Sequence, residues 1–254
     1  MPSDRSDRRT APAPDPARVS WLGEWSYAHR GLHAPGVPEN SLSAFAAAIE
    51  RGMGIECDIQ RSADGRAMVF HDWELERLTD AGGPVAALDA AALEQIALKG
   101  SEDRIPSLRD VLALVAGRVP ILIEIKSRRG YDVAVSCAAV RDDLEGYAGL
   151  HAVMSFDPRA GQWFARNSPQ TVRGLVVTEE NHRGGFGDLR RRVSTWIARA
   201  DFLAYDIRDL PSAFAAAQRA RGLPLLTWTV RSPELRERAA LHADAPIAEG
   251  AGVA

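Results

Sequence analysis

Along the chain, short apolar runs alternate with longer Ala- and Leu-rich stretches of helical period. The runs predict strands at Ser26–His29, Gly54–Asp58, Pro120–Lys126, Ala152–Phe156, Arg173–Val177, Phe202–Asp206, Pro224–Val230 and Asp244–Ile247. Helices are predicted over Ser41–Arg51, with Asn40 as N-cap, and over Ser107–Ala116, opened by Ser107. Others begin near Arg129, Asp157, Phe186, Pro211 and Pro233, where Pro, Asp or Ser marks a first turn. Eight strand–helix units in 254 residues predict an α/β chain folded as a (β/α)8 TIM barrel. Such a barrel carries its active site at the C-terminal ends of the strands.

One region departs from this rhythm. From Asp58 to Ser107 the chain spends nearly fifty residues, far more than a strand-to-helix loop needs. The segment opens with IQRSADGRAMVFHD, where Ala-Asp-Gly-Arg between apolar runs signals a hairpin. A two-residue turn on Asp64-Gly65 pairs residues whose numbers sum to about 129, which sets Asp58 opposite His71. The remainder, through LDAAALEQIAL, reads as a small helical insertion, over about 60–106, that forms a lid across the barrel mouth. The barrel domain is expected over 21–254, and the Pro-rich first 20 residues are expected to be a disordered arm.

Composition narrows the function. The 31 basic and 34 acidic residues leave a net charge of −3, so no global field draws nucleic acid or anionic membrane. No stretch is apolar for the ~18 residues a membrane span requires, and the basic N-terminus is not followed by a secretory apolar run. Cys57 and Cys137 sit in apolar contexts, as buried reduced thiols would. The expectation is a soluble, cytoplasmic protein with a small-molecule substrate.

Reactive side chains gather at the predicted strand ends. The first strand closes on His29-Arg30. In IECDI, Glu56 and Asp58 are two apart and share a face, while Ile55, Cys57 and Ile59 pack on the other. In ILIEIK, Glu124 and Lys126 repeat the arrangement. A Glu-x-Asp pair alone also suits a solvated strand edge, and Glu124 with Lys126 alone also suits a buried ion pair. Their convergence, with His29 and His71, favours a site. Three carboxylates in a barrel interior repel unless a cation joins them, and an all-oxygen set suits Mg2+ or Ca2+ better than zinc. With imidazoles to move protons and cations to hold phosphoryl oxygens, the target is a phosphate ester. His33, His151, His182 and His242 read as ordinary surface or loop residues.

The stretch AHRG…PENSLSAFAAAIERGMGIECDIQRSADGRAMVFHDWELERLT, followed by IPSLRDVL and ILIEIK, resembles the glycerophosphodiester phosphodiesterase family. The motifs run in order over residues 28–126, and MSFDP, LTWTVR and ADAPI extend the likeness over most of the chain. The resemblance implies a TIM barrel with an insertion after its second strand, and metal-dependent hydrolysis of glycerophosphodiesters to glycerol 3-phosphate and an alcohol. It implies Glu56, Asp58 and Glu124 as ligands of Mg2+ or Ca2+, and His29 and His71 as the acid–base pair, here read as base and acid respectively. Arg30 would bind phosphate, Glu39 the metal or a glycerol hydroxyl, and Lys126 the phosphate charge. Ser41 follows Pro-Glu-Asn where the family commonly has threonine. Trp228, on the face that lines the barrel, suits glycerol carbons or core packing. Two rivals share the fold: a lysophospholipase D-type enzyme acting on lipid-like substrates, for which the sequence offers no obvious amphipathic anchor, and a catalytically silent phosphate-binding barrel.

Overall fold

A computed structural model describes residues 13–180 and 184–253. Eight parallel strands close on themselves: β1 (Tyr27–Ala28), β2 (Gly54–Arg61), β4 (Ile121–Ile125), β5 (His151–Ser155), β6 (Val172–Val177), β7 (Phe202–Asp206), β8 (Leu225–Val230) and β9 (Ala245–Ala248). The closure is made by β1, which pairs with both β2 and β9. The sequence therefore predicts the barrel and all eight of its strands, with ends displaced by a few residues. Helices α2 (Leu42–Glu50), α4 (Leu108–Val115), α5 (Val133–Leu144), α6 (Pro158–Asn167), α7 (Gly185–Ala198), α8 (Ala213–Ala220) and α9 (Pro233–His242) alternate with the strands.

Period-2 alternation sorts the strand residues into two environments. Ile55, Cys57, Ile59, Ile121, Ile123 and Ile125 face outward, into a core shared with α2, α4 and α5. Tyr27, Leu122, Met154, Phe202, Leu226 and Ile247 fill the barrel interior. The short helix α1 (Pro16–Val19) and the turn after it bring Val19, Trp21 and Leu22 into that same interior cluster. Within the expected arm, Asp15 caps α1 through the Ala17 N–H and Val19 is buried in that cluster. Residues 1–12 and His182 lie outside the described residues.

Three local expectations are corrected. Ser41, not Asn40, caps α2: its hydroxyl accepts from the Ala44 N–H at 3.1 Å. Strand β3 (Ala67–Val69) pairs antiparallel with β2, but with Ile59 against Val69 and Gln60 against Met68. That register is one residue from the predicted one, since the turn spans three residues with Gly65 left-handed at φ 83°. Phe70, whose N–H donates to the Asp58 carbonyl at 3.0 Å, therefore stands where His71 was expected. The insertion is also less helical than its composition suggests. Besides a 3-10 turn at Val85–Ala87, only the single-turn α3 (Ala90–Leu93) forms, because the backbone beyond it pairs elsewhere: Leu98 with Asp103 and Ile105 with Ile96. This arrangement lets Leu75, Val85, Leu93, Leu98 and Ile105 build a small separate core on Met68 and Phe70.

Candidate active site

The catalytic mouth follows from where the inward-facing series of each strand ends. Glu56 and Asp58 occupy the last inward positions of the parallel part of β2, and Asp58 lies in register with Glu124 of β4. All three carboxylates are buried, Glu56 to 1 % exposure, and one oxygen from each lies within 4.8 Å of the others. Lys126 bridges two of them, with Nζ 2.7 Å from Asp58 Oδ1 and 2.6 Å from Glu124 Oε1.

The segment after β1 wraps this cluster. Arg30 and Asn40 both adopt left-handed backbone, at φ 56° and 57°; Arg30 serves Glu56 and Asp58, and Asn40 serves Asp58. The Arg30 N–H donates to Glu56 Oε2 at 3.0 Å, and the Asn40 side-chain amide donates to Asp58 Oδ2 at 2.9 Å. Such backbone is uncommon for arginine and costs on the order of 1 kcal/mol, an expense offset by these bonds. Gly31 follows because a Cβ there would come within 2.8 Å of Ala44 on α2. The Arg30 guanidinium binds Glu39 Oε1 at 2.8 Å, while its Nε lies 3.1 Å from Asp58 Oδ2 without hydrogen-bond geometry. Arg77, from the insertion, holds Glu39 at 2.7 Å and Asp72 as well. Glu39 thereby sits at the rim between two arginines.

Each histidine is tied through Nδ1 to a carboxylate. His71 Nδ1 is 2.6 Å from Asp72 Oδ1, and His29 Nδ1 is 2.5 Å from Glu249 Oε2. Glu249 also accepts from Arg231 Nε at 2.6 Å, and His33 Nε2 lies 3.5 Å from it. His33 is accordingly no ordinary loop residue; it belongs to a second polar cluster beside the first.

Charge and burial compete throughout. Burial, then repulsion from Asp58 and Glu124, pushes the Glu56 carboxyl well above its usual range. Burial also opposes the Asp58 charge, yet Lys126 and Arg30 outweigh it and hold that carboxyl well below normal. Burial similarly works against the Lys126 ammonium, but Asp58 and Glu124 keep its pKa raised. Burial, with Lys126 and Arg30, lowers the His71 imidazole below its usual range against the pull of Asp58 and Asp72. Burial opposes the Glu249 charge, yet its bonds to His29 and Arg231, with His33 close by, hold that carboxyl well below its usual range.

A cavity of about 410 Å³ opens above these groups, lined by His29, Arg30, Asp58, His71, Glu124 and Lys126 on one side. Phe156, Asp206, Arg208, Trp228 and Arg231 form the opposite side. Trp228 donates its indole N–H to the Ala204 carbonyl at 2.9 Å and stacks edge-to-face on Phe156 with centroids 5.5 Å apart. Nine residues were expected at the site from sequence. His29, His71, Arg30, Asp58, Glu124, Lys126 and Trp228 line one cavity, Glu56 lies a layer deeper, and Glu39 touches the group through Arg30.

The constellation has relatives. Residues 29–253 match the model of the glycerophosphoryl diester phosphodiesterase family. The chain belongs to this family. It is an enzyme of the hydrolase class that the family comprises. A putative glycerophosphodiester phosphodiesterase of Bacillus subtilis is 29 % identical over 218 residues, covering 81 % of this chain and 85 % of its own. A glycerophosphodiester phosphodiesterase of Caldanaerobacter subterraneus is 37 % identical over a shorter segment, 39 % of this chain and 44 % of its own. Among solved structures, an Oleispira antarctica phosphodiesterase in complex with the product sn-glycerol-3-phosphate superposes with a TM-score of 0.78. Its identity is 22 %, over 88 % of this chain and 92 % of that one, a likeness of fold.

Sequence reasoning missed Glu249, Asn40 in its true role, and Arg77. Glu249 was within reach: it continues the inward alternation of Ala245 and Ile247 by one step past the predicted strand end. Asn40 and Arg77 act through the conformation of irregular backbone, for which no periodic signal exists.

Proposed function

We propose that this family member hydrolyses glycerophosphodiesters to sn-glycerol 3-phosphate and an alcohol, in a reaction that requires a divalent cation. The observation that carries the reading is the placement of three buried carboxylates between two carboxylate-backed histidines, at the floor of a cavity walled by Phe156 and Trp228.

The donor set fits a hard cation. Glu56 faces Asp58 and Glu124 with only a backbone N–H among its described donors, and burial together with those two carboxylates raises its pKa. Glu56, Asp58 and Glu124 would hold Mg2+ or Ca2+, oxygen-seeking ions both. Bound there, the ion supplies Lewis-acid polarisation of a phosphoryl oxygen and neutralises charge that develops on it. Arg30, with a buried Nε lacking a hydrogen-bond partner, and Lys126 supply further positive charge to the phosphate. Glu39, held at the rim by Arg30 and Arg77, suits a glycerol hydroxyl. Trp228 and Phe156 cover its carbons.

Proton transfer falls to the histidines. His71, whose pKa burial lowers, is suited to remove the proton from the attacking oxygen as its bond to phosphorus forms. His29, with ionised Glu249 on Nδ1 to stabilise an imidazolium, is suited to protonate the departing alkoxide as its bond to phosphorus breaks. This reverses the assignment drawn from sequence, where no difference between their surroundings could be read. The insertion, pinned by its own core and by Arg77, is proposed to form one wall of the mouth and to select the leaving alcohol.

The test is release of glycerol 3-phosphate from a panel of glycerophosphodiesters, before and after chelation and metal return. Loss with the chelator and recovery with Mg2+ or Ca2+ is the expected result. Full turnover by rigorously metal-free enzyme, or no glycerol 3-phosphate from any member of the panel, would overturn the reading.

A further inference from the structure

No described helix is long and apolar enough to cross a membrane. One helix nevertheless carries its apolar stripe on the outside. On α7, Phe186, Leu189, Val193 and Trp196 are 93 %, 58 %, 45 % and 55 % exposed. Their spacing of three, four and three residues sets them on a single face of the helix. The inward face of α7 is made instead by Gly187, Thr195 and Ala198, so the stripe is not the one that packs on the barrel. Exposed Arg190 flanks it on one side and exposed Arg192 on the other, with Arg199 at the helix end. The helix has one acidic residue, Asp188, and it is bonded to Arg192 at 2.9 Å.

The stripe starts at the end of the barrel that carries the mouth. Helix α7 follows β6, so its first turn, with Phe186, stands at the C-terminal end of the barrel. A groove of about 450 Å³ leads from there, lined by Phe156, Pro158, Leu175, Val177, Gly187 and Arg190. Phe156, itself 47 % exposed, also lines the catalytic cavity and contacts Trp228. The acidic residue in this groove, Glu180, is paired with Arg208 at 3.3 Å.

We propose that α7 is an interfacial helix that docks the enzyme reversibly on anionic phospholipid surfaces, with the catalytic mouth at the edge of the contact. An apolar stripe rich in aromatic side chains and bordered by arginines matches the acyl boundary and headgroup layer of such a surface. Charge argues against a second copy as the occupant. Apposing two of these faces would bring together two helix ends that each carry Arg190, Arg192 and Arg199 against the single acid Asp188, whereas lipid phosphates complement that excess of positive charge. This helix revises the expectation that the chain has no amphipathic anchor: the periodicity of α7 is visible, but only packing reveals that its apolar side faces outward.

Flotation of the whole protein with phosphatidylcholine vesicles, with and without phosphatidylglycerol, tests this. The wild type is expected to float with the phosphatidylglycerol-containing vesicles and to be released by raised salt. The double variant F186S/W196S, and separately R190Q/R192Q, should each partition at least about tenfold more weakly, with unchanged thermal unfolding and unchanged turnover of a soluble diester. Equal flotation of wild type and F186S/W196S, or no flotation of the wild type, overturns the proposal. So does a wild-type dimer in light scattering that F186S/W196S abolishes, since the face would then be a self-contact.

Discussion

The barrel has two unlike halves. From β1 to β4, the upper interior positions are His29, Glu56, Asp58, Glu124 and Lys126, all ionisable. From β5 to β9 the corresponding strands contribute Met154, Val176, Ala204 and Trp228, with Phe156 above them. The two acids that do occur there are held by arginines: Asp206 by Arg208, and Glu249 by Arg231. One half gathers three carboxylates around Lys126 and Arg30, while the other offers an apolar wall whose two acids are each bonded to an arginine. A ligand bound between them would meet electrostatics on its phosphate side and hydrophobic contact on its organic side, the division expected of a site that must both stabilise charge and orient carbon.

Breaking the first half should have the largest effect. His29→Ala and His71→Ala should each lower kcat by ~10²–10⁴-fold, measured at saturating substrate and metal. A nitrophenyl phosphodiester, whose leaving group needs no acid, should restore His29→Ala but not His71→Ala. Rescue of both or of neither would reject the division of roles.

Glu249 tests whether the last strand serves the first half. Glu249→Gln keeps the shape but removes the charge behind His29, so kcat should fall by roughly 10–10³-fold while KM changes little. Unchanged kcat would make Glu249 a structural partner of Arg231 alone.

The second half should respond mainly in binding. Trp228→Ala removes a surface that touches carbon, and KM should rise about 3–10-fold with kcat nearly intact. A collapse in kcat instead would place Trp228 among the groups that position the reacting atoms.

The smallest effect concerns stability, and its sign follows from Glu56. Its folded pKa is raised, so metal-free protein keeps the full contribution of Glu56 below the carboxylate's ordinary range and loses it as pH rises through the folded value. Metal-free Glu56→Gln should therefore melt a few degrees above metal-free wild type at pH 8, and near it at pH 4. A lower melting temperature at pH 8 would mean the ionised carboxylate is already compensated.

The barrel and most of this asymmetry were legible in sequence because they ride on period-2 strands. Ile-Glu-Cys-Asp-Ile and Ile-Leu-Ile-Glu-Ile-Lys declare their inward faces, and the parallel register then brings Asp58 beside Glu124 without further information. What escaped depends on irregular backbone or on packing. The three-residue turn at Gly65 moved the hairpin by one residue, and left-handed Asn40 became a ligand of Asp58 instead of a cap. The partnership of His29 with Glu249 joins residues more than two hundred positions apart across the barrel closure, where no local pattern points.

The central claim is that the carboxylates of the first half form one divalent-cation site. Calorimetric titration of Mg2+ or Ca2+ into the metal-free protein tests it without reference to turnover. One ion should bind per chain, Glu56→Gln should weaken it at least about tenfold, and Trp228→Ala should leave it unchanged. Binding of equal strength in Glu56→Gln and the wild type, or no binding by a wild type that turns over in chelator, would contradict the account.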